Sequence, residues 1–349
     1  MSEFKVNTIT NRDGSYGPQI CGITTFGSSG MQLPSGPTEM RGGRGRGVVA
    51  GGSEPSPSGN VNTMEFIEIA TTGNSTDFGD FNQSPYFGGT GFASATRGLF
   101  AGGYNPTAGI TDIGFLTFSS NGGANDFGDM AFRRYYPYSP SDSTRGLIAG
   151  GKTNHPNTVN THSIEFVTMA SRGDTSSFGD LIDKRNFGAA VSSPTRGLFG
   201  GGRPLAGDNS TYIKSIEFVT IATLGNALDF GNLVVPSGAA DPCSSTTRGL
   251  WGAQYIGSFT AAIDFVTMTT LGDALDFGDL TRTVFGAGGM SNSIRGVWAG
   301  GQNPSNDPGM NIMDYVTIAT TGNAVDFGDL TAARGYVKGC SDTHGGLAR

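Results

Sequence analysis

The chain alternates short apolar segments with turns rich in glycine and polar residues. Segments such as MEFIEIAT, which begins at Met64, and IEFVTIAT, which begins at Ile216, are rich in β-branched and aromatic residues and show no helical period. This pattern predicts β-strands, and strands that are apolar on nearly both faces are expected to lie between two neighbouring sheets. Other segments, such as RGLFAGG from Arg97, predict further strands, and their paired glycines permit a bend or a close backbone approach.

Three sequence markers recur six times in one fixed order. The first is an Arg-Gly pair followed by apolar residues, the second is the apolar strand segment, and the third reads DFG in five copies and SFG in one. The arginines of the first marker, spaced 47 to 52 residues apart, are Arg46, Arg97, Arg145, Arg196, Arg248 and Arg295. A repeat of about 50 residues with four short strands has the size of one propeller blade, and a ring of blades exposes only short edges. A linear β-solenoid is the alternative, although it favours shorter rungs.

The repeat resembles the kelch repeat. The likeness rests on the glycine pair after an apolar strand, on an acidic–aromatic pair in the next strand (Glu217-Phe218, for example), and on a trailing arginine. The trailing arginines are assigned as Arg133, Arg185, Arg282 and Arg334. The hairpin before the third marker is longer than in kelch blades, so the repeat is kelch-like. We predict an all-β, kelch-like β-propeller, with six four-stranded blades as the first choice and seven as the runner-up.

The repeats divide the chain into an N-terminal arm, residues 1–40, and a propeller, residues 41–349. The arm lacks the repeat and is too small to bury a core of its own. At the other end, Thr343-His344-Gly345 stands where a further Thr-Arg-Gly is expected. We predict that residues 334–341 form a strand that completes the first blade, so that the C-terminal segment 334–349 closes the ring.

Composition narrows the classes of function. Glycine makes up 58 of 349 residues, only 15% of residues are charged, and the net charge is −7. An acidic chain without a basic run is not expected to bind nucleic acid phosphates. No apolar run is long enough for a membrane span, and no signal peptide is recognisable. Cys21, Cys243 and Cys340 are too few and too scattered for a disulfide framework.

Motifs that resemble catalytic or binding chemistry have simpler explanations. The segment from Gly146 to Thr153, GLIAGGKT, fits a phosphate-binding loop, but Pro156 and a polar segment follow it where a helix is needed. DFG occurs without the other kinase motifs. The repeated acidic residues Asp80, Asp129, Asp180, Asp279 and Asp329 fit turns and strand ends better than calcium sites. We therefore predict a non-enzyme with no catalytic residue, no cofactor and no metal site.

The wording of the repeats, with TRGLFAGG, IEFVTIAT and DFGDL, is similar to repeats in structural proteins of tailed phages that infect marine bacteria, including cyanophages. The opening KVNTITNRDGS also resembles the N-terminal segments of such proteins. This resemblance implies a virion structural or adhesion protein, present in several copies on a tail, fibre or capsid. A host surface glycan or protein is then the expected ligand. Because residues 1–40 are too small to bury a core, we expect them to dock as an extended strand on other virion proteins by edge addition, with a flexible tail as the alternative. The alternatives are an intracellular kelch-like interaction module and a lectin-type propeller.

One end of the propeller is predicted to carry recognition. The loops between second and third strands lie at the same end as the links between blades, and they differ in every blade. Loops that vary on a fixed framework commonly bind partners. The candidate residues in these loops are Tyr104, Asn105, His155, Tyr212, Tyr255 and Asn303. The six repeat arginines are instead expected to pair with carboxylates or turn carbonyls and to stabilise the blades.

Overall fold

Short strands joined by tight turns form six antiparallel sheets, the blades, which stand around one axis. The structure is a computed structural model that describes residues 24–25, 31–32, 45–55, 59–81, 88–104, 109–153, 159–204, 211–238, 240–302 and 309–347. Each blade runs from an inner strand beside the axis to an outer strand at the rim. The all-β, six-bladed propeller is therefore confirmed, and the seven-bladed alternative is wrong.

The strands are given from inner to outer in each blade. Blade one holds Lys338–Ser341, Arg46–Ala50, Thr63–Glu68 and Thr76–Asp80, and blade two holds Thr90–Ala93, Arg97–Ala101, Asp112–Thr117 and Asn125–Asp129. Blade three holds Arg145–Ala149, Ser163–Thr168 and Ser176–Asp180, and blade four holds Ala189–Ser192, Arg196–Gly200, Ser215–Thr220 and Leu228–Asn232. Blade five holds Asp241–Ser244, Arg248–Gly252, Ala262–Thr267 and Leu275–Asp279, and blade six holds Gly288–Ser291, Arg295–Ala299, Met310–Thr317 and Val325–Arg334.

Outside the blades, three two-residue ladders pair Thr24–Thr25 with Met31–Gln32, Ser53–Glu54 with Gly59–Asn60, and Lys152–Thr153 with Val159–Asn160. A 3₁₀ turn covers Gly345–Leu347. In blade three, residues 138–141 take the place of the inner strand and make only two isolated bridges. Pro140 lies within this segment and interrupts a regular ladder, because proline has no N–H group to donate.

The last strand of the chain closes the ring. Lys338–Ser341 pairs antiparallel with Arg46–Ala50 and becomes the inner strand of blade one. Blade one is thus built from both ends of the repeat region, and separating its inner strand from the other three would open the ring.

The DFG marker forms a β-bulge that fills the space between blades. In blade two, Ile113 pairs with Gly128 and the next residue pairs with Asp126, so Phe127 is left out of the ladder. The same shift occurs in the other five blades. Phe127 is buried in a cluster that combines residues of blades two and three. Gly128 has φ +150°, and a Cβ there would collide with the backbone of Gly173 in the next blade, so glycine is required.

The connection between third and outer strands reaches over the neighbouring blade. In blade three, Gly173 N and Thr175 N donate to the carbonyl oxygens of Phe127 and Asp129, each at 2.9 Å. Asp174, between them, accepts from Asp129 N at 3.0 Å. The same pair of backbone bonds joins every neighbouring pair of blades. This hairpin therefore covers the open edge of the adjacent outer strand, which explains why it is longer than in a kelch blade.

The six repeat arginines join each blade to the next. Arg97 stacks on Phe115 of its own blade, 5.1 Å from the ring centroid, and donates to Met169 O of the next blade at 2.8 Å. The other five make the equivalent stack and the equivalent bond: Arg46, Arg145, Arg196, Arg248 and Arg295. A guanidinium suits this position because it offers a planar face and several fixed donors.

Four buried ion pairs fix the links between blades. Each pair joins an arginine near the end of one blade to a carboxylate on the third strand of the following blade. The pairs are Arg134 with Glu165, Arg185 with Glu217, Arg282 with Asp314, and Arg334 with Glu65. The assignment of Arg133 as the trailing arginine is wrong, because Arg133 is exposed whereas Arg134 is fully buried. Burial lowers the pKa of Arg334, and the Glu65 carboxylate opposes that shift. A buried guanidinium of this kind needs its carboxylate partner.

Candidate functional site

The two ends of the propeller differ. The turns between inner and second strands lie at one end, and the loops between second and third strands lie at the other, together with the links between blades. At the first end, residues 342–347 (the plug) fold across the axial channel. A Cβ on Gly345 or Gly346 would collide with the carbonyl oxygens of Ser141, Ser192 or Ser245. We call the end that carries the plug the sealed end, and the opposite end the open end.

His344 anchors the plug. Its Nε2 lies 3.0 Å from Ala93 O, and its Nδ1 accepts from Gly346 N at 3.1 Å. These two bonds together require the neutral ring with its proton on Nε2. Burial lowers the pKa of His344 to about 4, which keeps the ring neutral above that pH. The histidine that replaces the repeat arginine therefore holds the plug in place.

At the open end, the five links that the structure describes at this position turn toward the axis through a left-handed residue. Two positions before the inner strand, φ is +70° at Gly88, +57° at Tyr136, +63° at Phe187, +65° at Gly286 and +55° at Tyr336. The equivalent position in blade five lies outside the described residues. A left-handed backbone costs a residue with a side chain roughly 1–2 kcal/mol, whereas glycine adopts it freely. Three blades thus keep an aromatic residue where two others hold glycine, and such strain concentrates at functional sites.

Aromatic side chains from all six blades form one belt around the open end. This aromatic belt consists of Tyr104, Tyr135, Tyr136, Phe187, Tyr212, Tyr255, Phe259, Phe285 and Tyr336, and the ring centroids in contact are 4.8 to 5.8 Å apart. Arg203 joins two parts of the belt, because it lies 4.4 Å from the centroid of Phe187 and 5.1 Å from that of Tyr212. It also donates to the Tyr212 hydroxyl at 2.7 Å.

The loop residues predicted as binding residues fall into two groups. Tyr104, Tyr212 and Tyr255 lie in the aromatic belt. Tyr212 and Tyr255 are in contact at 5.8 Å between centroids, whereas Tyr104 contacts Tyr135. Asn105, His155 and Asn303 lie outside the described residues.

A shallow recess lies at the centre of the open end, where the channel begins. Its floor consists of Gly88, Gly89, Gly188, Ala240 and Gly286, and its walls include Tyr136, Phe187, Tyr336 and Lys338. A Cβ on Gly88 would lie 2.8 Å from the ring of Tyr136, and one on Gly286 would lie 3.2 Å from the ring of Tyr336. The glycine of one blade therefore makes room for the aromatic ring of its neighbour.

Lys338 is held beside the recess by a buried carboxylate. Its Nζ lies 3.3 Å from Asp241 Oδ1, and the Lys338 side chain is 23% exposed whereas that of Asp241 is 3% exposed. Burial raises the pKa of Asp241 to about 7, although Lys338 and the backbone amide of Ala287 oppose the shift. Asp241 Oδ2 makes no hydrogen bond of acceptable geometry to any described residue. Elsewhere on this end, burial lowers the pKa of Lys152, and the charge of Arg203 adds to that shift.

The groups at the open end, which are aromatic rings, tyrosine hydroxyls, an arginine and a lysine, are of the kinds enriched in protein interfaces. Among the described residues, no three His, Cys, Asp or Glu side chains are close enough to hold a metal ion. Cys243 and Cys340 are free and buried, and burial raises the pKa of both thiols. The part of the chain that the structure describes contains no helix long and apolar enough to cross a membrane.

The sequence predictions do not include the residues that form the recess. Tyr136, Phe187 and Tyr336 come from the links between blades, whereas the predicted residues come from the loops between second and third strands. Each of the three follows a buried link arginine by two positions, as in Arg185-Asn186-Phe187. That spacing is a usable signal, since it places an aromatic residue where the link meets the channel.

Comparison with known proteins supports the fold. The solved structure of YjhT, a propeller-type fold, matches with a TM-score of 0.62 and 8% sequence identity, covering 76% of this chain and 91% of that chain. No protein-family model matches the chain, and no curated protein matches it. At 8% identity the likeness concerns the fold alone, and together with the six blades it supports a kelch-like propeller.

Proposed function

We propose that this protein is a non-enzymatic recognition propeller, carried on a tailed-phage particle as a structural or adhesion protein, and that its open end faces the host surface. The observation that carries this proposal is the contrast between the two ends. The sealed end is built from repeated turns and the plug, whereas the open end holds the aromatic belt and loops that differ between blades. Repeat proteins commonly place recognition on such variable loops.

The point where the chain joins the propeller fits this orientation. Gly45 lies against Thr343 of the plug and near Asn292 in a turn of blade six, both at the sealed end. The chain that precedes Gly45 thus joins the ring on the side away from the aromatic belt. If residues 1–40 bind other virion proteins, as we propose, the open end is left free for a host glycan or protein.

The particle assignment rests on the likeness between these repeats and tailed-phage structural proteins. Mass spectrometry of purified particles tests it, and we expect several copies of the protein per particle. Several copies would raise the overall strength of attachment through avidity even where each contact is weak. Absence of the protein from purified particles would refute this part of the proposal.

Attachment of the purified full-length protein to host cells tests the role of the open end. The variant Tyr212→Ser/Tyr255→Ser alters the aromatic belt, and we expect attachment to fall at least tenfold. The control Leu228→Ser/Leu275→Ser alters outer-strand residues that are 62% and 63% exposed, and we expect no change. Unchanged attachment of the first variant, or an equal loss in both, would contradict the proposal.

A second candidate is an interaction module or lectin-type propeller without a role on a particle. The belt favours this alternative as well, because tyrosine and arginine dominate the energetic centres of protein interfaces. It is the better description if the protein is absent from particles but still binds a partner through Tyr212 and Tyr255.

A further inference from the structure

We propose that the recess at the open end binds a neutral saccharide, with one sugar ring resting against Tyr136 and Tyr336. The inference rests on the proposed recognition function and names the class of ligand. Three features of the recess carry it: the form of its walls, the conformation of its aromatic residues and the balance of its charges.

The walls offer flat apolar faces together with polar tips. Tyr136 and Tyr336 are partly exposed and rest on glycines of neighbouring blades. Phe187 is buried beneath them and supports Tyr136 edge-on at 4.8 Å between centroids. A sugar ring has apolar C–H faces and hydroxyls that both donate and accept hydrogen bonds, so tyrosine matches both parts of it. The floor residues have no side chain beyond Cβ, so a ring that lies across the mouth of the recess can contact both the tyrosines and the glycine backbone.

The backbone indicates that the aromatic rings themselves are required. Tyr136, Phe187 and Tyr336 keep positive φ at the position where Gly88 and Gly286 stand in sister blades. Glycine meets the turn without steric cost, so the turn alone does not explain an aromatic residue there. Strain that is retained in three blades of one ring points to a use for the side chains.

The charges at the recess favour a neutral ligand. The Lys338 ammonium supplies donors, and its charge is balanced by Asp241 at 3.3 Å. The Asp241 carboxylate is buried and paired with Lys338, so this pair presents little net charge to a ligand, and a cationic ligand would meet Arg203, which stacks on Phe187. A neutral polyhydroxylated ligand avoids that repulsion, needs no further counter-charge and still receives hydrogen bonds from Lys338.

Titration of the full-length protein at pH 8, followed by saturation-transfer NMR and calorimetry, tests the proposal. The neutral probes are maltotriose, cellotriose, mannotriose and tri-N-acetylchitotriose, and the acidic probe is trigalacturonic acid. We expect at least one neutral probe to bind, and Tyr136→Gly and Tyr336→Gly each to raise its Kd at least tenfold. These variants carry the residue that sister blades hold at this position. The control Ile294→Ala alters an apolar residue at the sealed end that is 46% exposed and lies outside the aromatic belt, and we expect its Kd to be unchanged.

The proposal is overturned if no neutral probe binds, if only trigalacturonic acid binds, or if neutral binding survives both glycine variants. Its failure is distinguishable from failure of the proposed function. If saccharide binding is absent but Tyr212→Ser/Tyr255→Ser still abolishes attachment, the ligand class is wrong and recognition through the open end stands. If a saccharide binds in the recess but the protein is absent from particles, the virion role is wrong and the saccharide site stands.

Discussion

The left-handed backbone at Tyr336 predicts an inverted order of stability for two substitutions. Tyr336→Ala and Tyr336→Gly remove the same ring and the same contact with Phe285, whose centroid lies 5.2 Å away. This shared loss cancels when the two variants are compared with each other. The remaining difference reports mainly on the backbone, where φ is +55°.

The expected difference follows from two opposing contributions. At an ordinary position within an element, glycine is less stable than alanine by roughly 0.5–1 kcal/mol because it loses more conformational entropy on folding. In the left-handed region, alanine suffers a steric cost of roughly 1–2 kcal/mol that glycine avoids. We therefore expect Tyr336→Gly to have a free energy of unfolding about 0.5–1 kcal/mol higher than Tyr336→Ala.

Equilibrium unfolding in urea measures this difference. Tyr135 is the matched control, since it lies in an equivalent link, belongs to the aromatic belt and has no positive φ. At Tyr135 we expect the ordinary order, with alanine more stable than glycine. If alanine is the more stable replacement at Tyr336 as well, the left-handed strain is absent and gives no reason to assign a function to the recess aromatics.

Three further predictions concern blade junctions, the plug and pH. Arg196→Met removes a hydrogen bond from a charged group to a carbonyl of the next blade and should lower the free energy of unfolding by roughly 1.5–3 kcal/mol. Arg133 is exposed, so Arg133→Met should change the free energy of unfolding by less than about 0.5 kcal/mol. Urea unfolding measures both. Gly346→Ala should displace the plug and speed hydrogen exchange at residues 342–347, whereas Gly109→Ala, whose Cβ would meet its nearest atom at 3.5 Å, should not. The pKa of Asp241 is raised from 3.8 to about 7 in the folded state, so the native protein binds this proton more tightly than the unfolded chain does. The free energy of unfolding therefore falls as pH rises between these values. Between pH 5 and pH 8, the Asp241→Asn variant should lose less stability than wild type in the same urea assay.

The blade architecture is predictable because its signals are local and repeated. Each copy carries its own Arg-Gly pair, apolar strand and DFG or SFG segment, and the period of these markers gives the number of blades. The replacement of Thr-Arg-Gly by Thr343-His344-Gly345 marks the end of the repeats. It does not reveal that the chain then enters the channel, because that path depends on the space that the closed ring leaves at its axis.

The recess is less predictable because it depends on relations between blades. Choosing Arg134 over Arg133 requires knowing which of two adjacent side chains points into the core. The strain at Tyr136, Phe187 and Tyr336 appears only when the six links are compared in three dimensions. The pairing of Lys338 with Asp241 joins residues of blades one and five across the mouth of the channel, and no sequence period connects them.

The proposed role on a particle is tested by cryo-electron microscopy of particles that contain the protein. We expect six-bladed rings that meet the particle through the sealed end, with density continuing from Gly45 into the particle and the aromatic belt facing outward. Rings that meet the particle through the aromatic belt, or particles without the propeller, would contradict it.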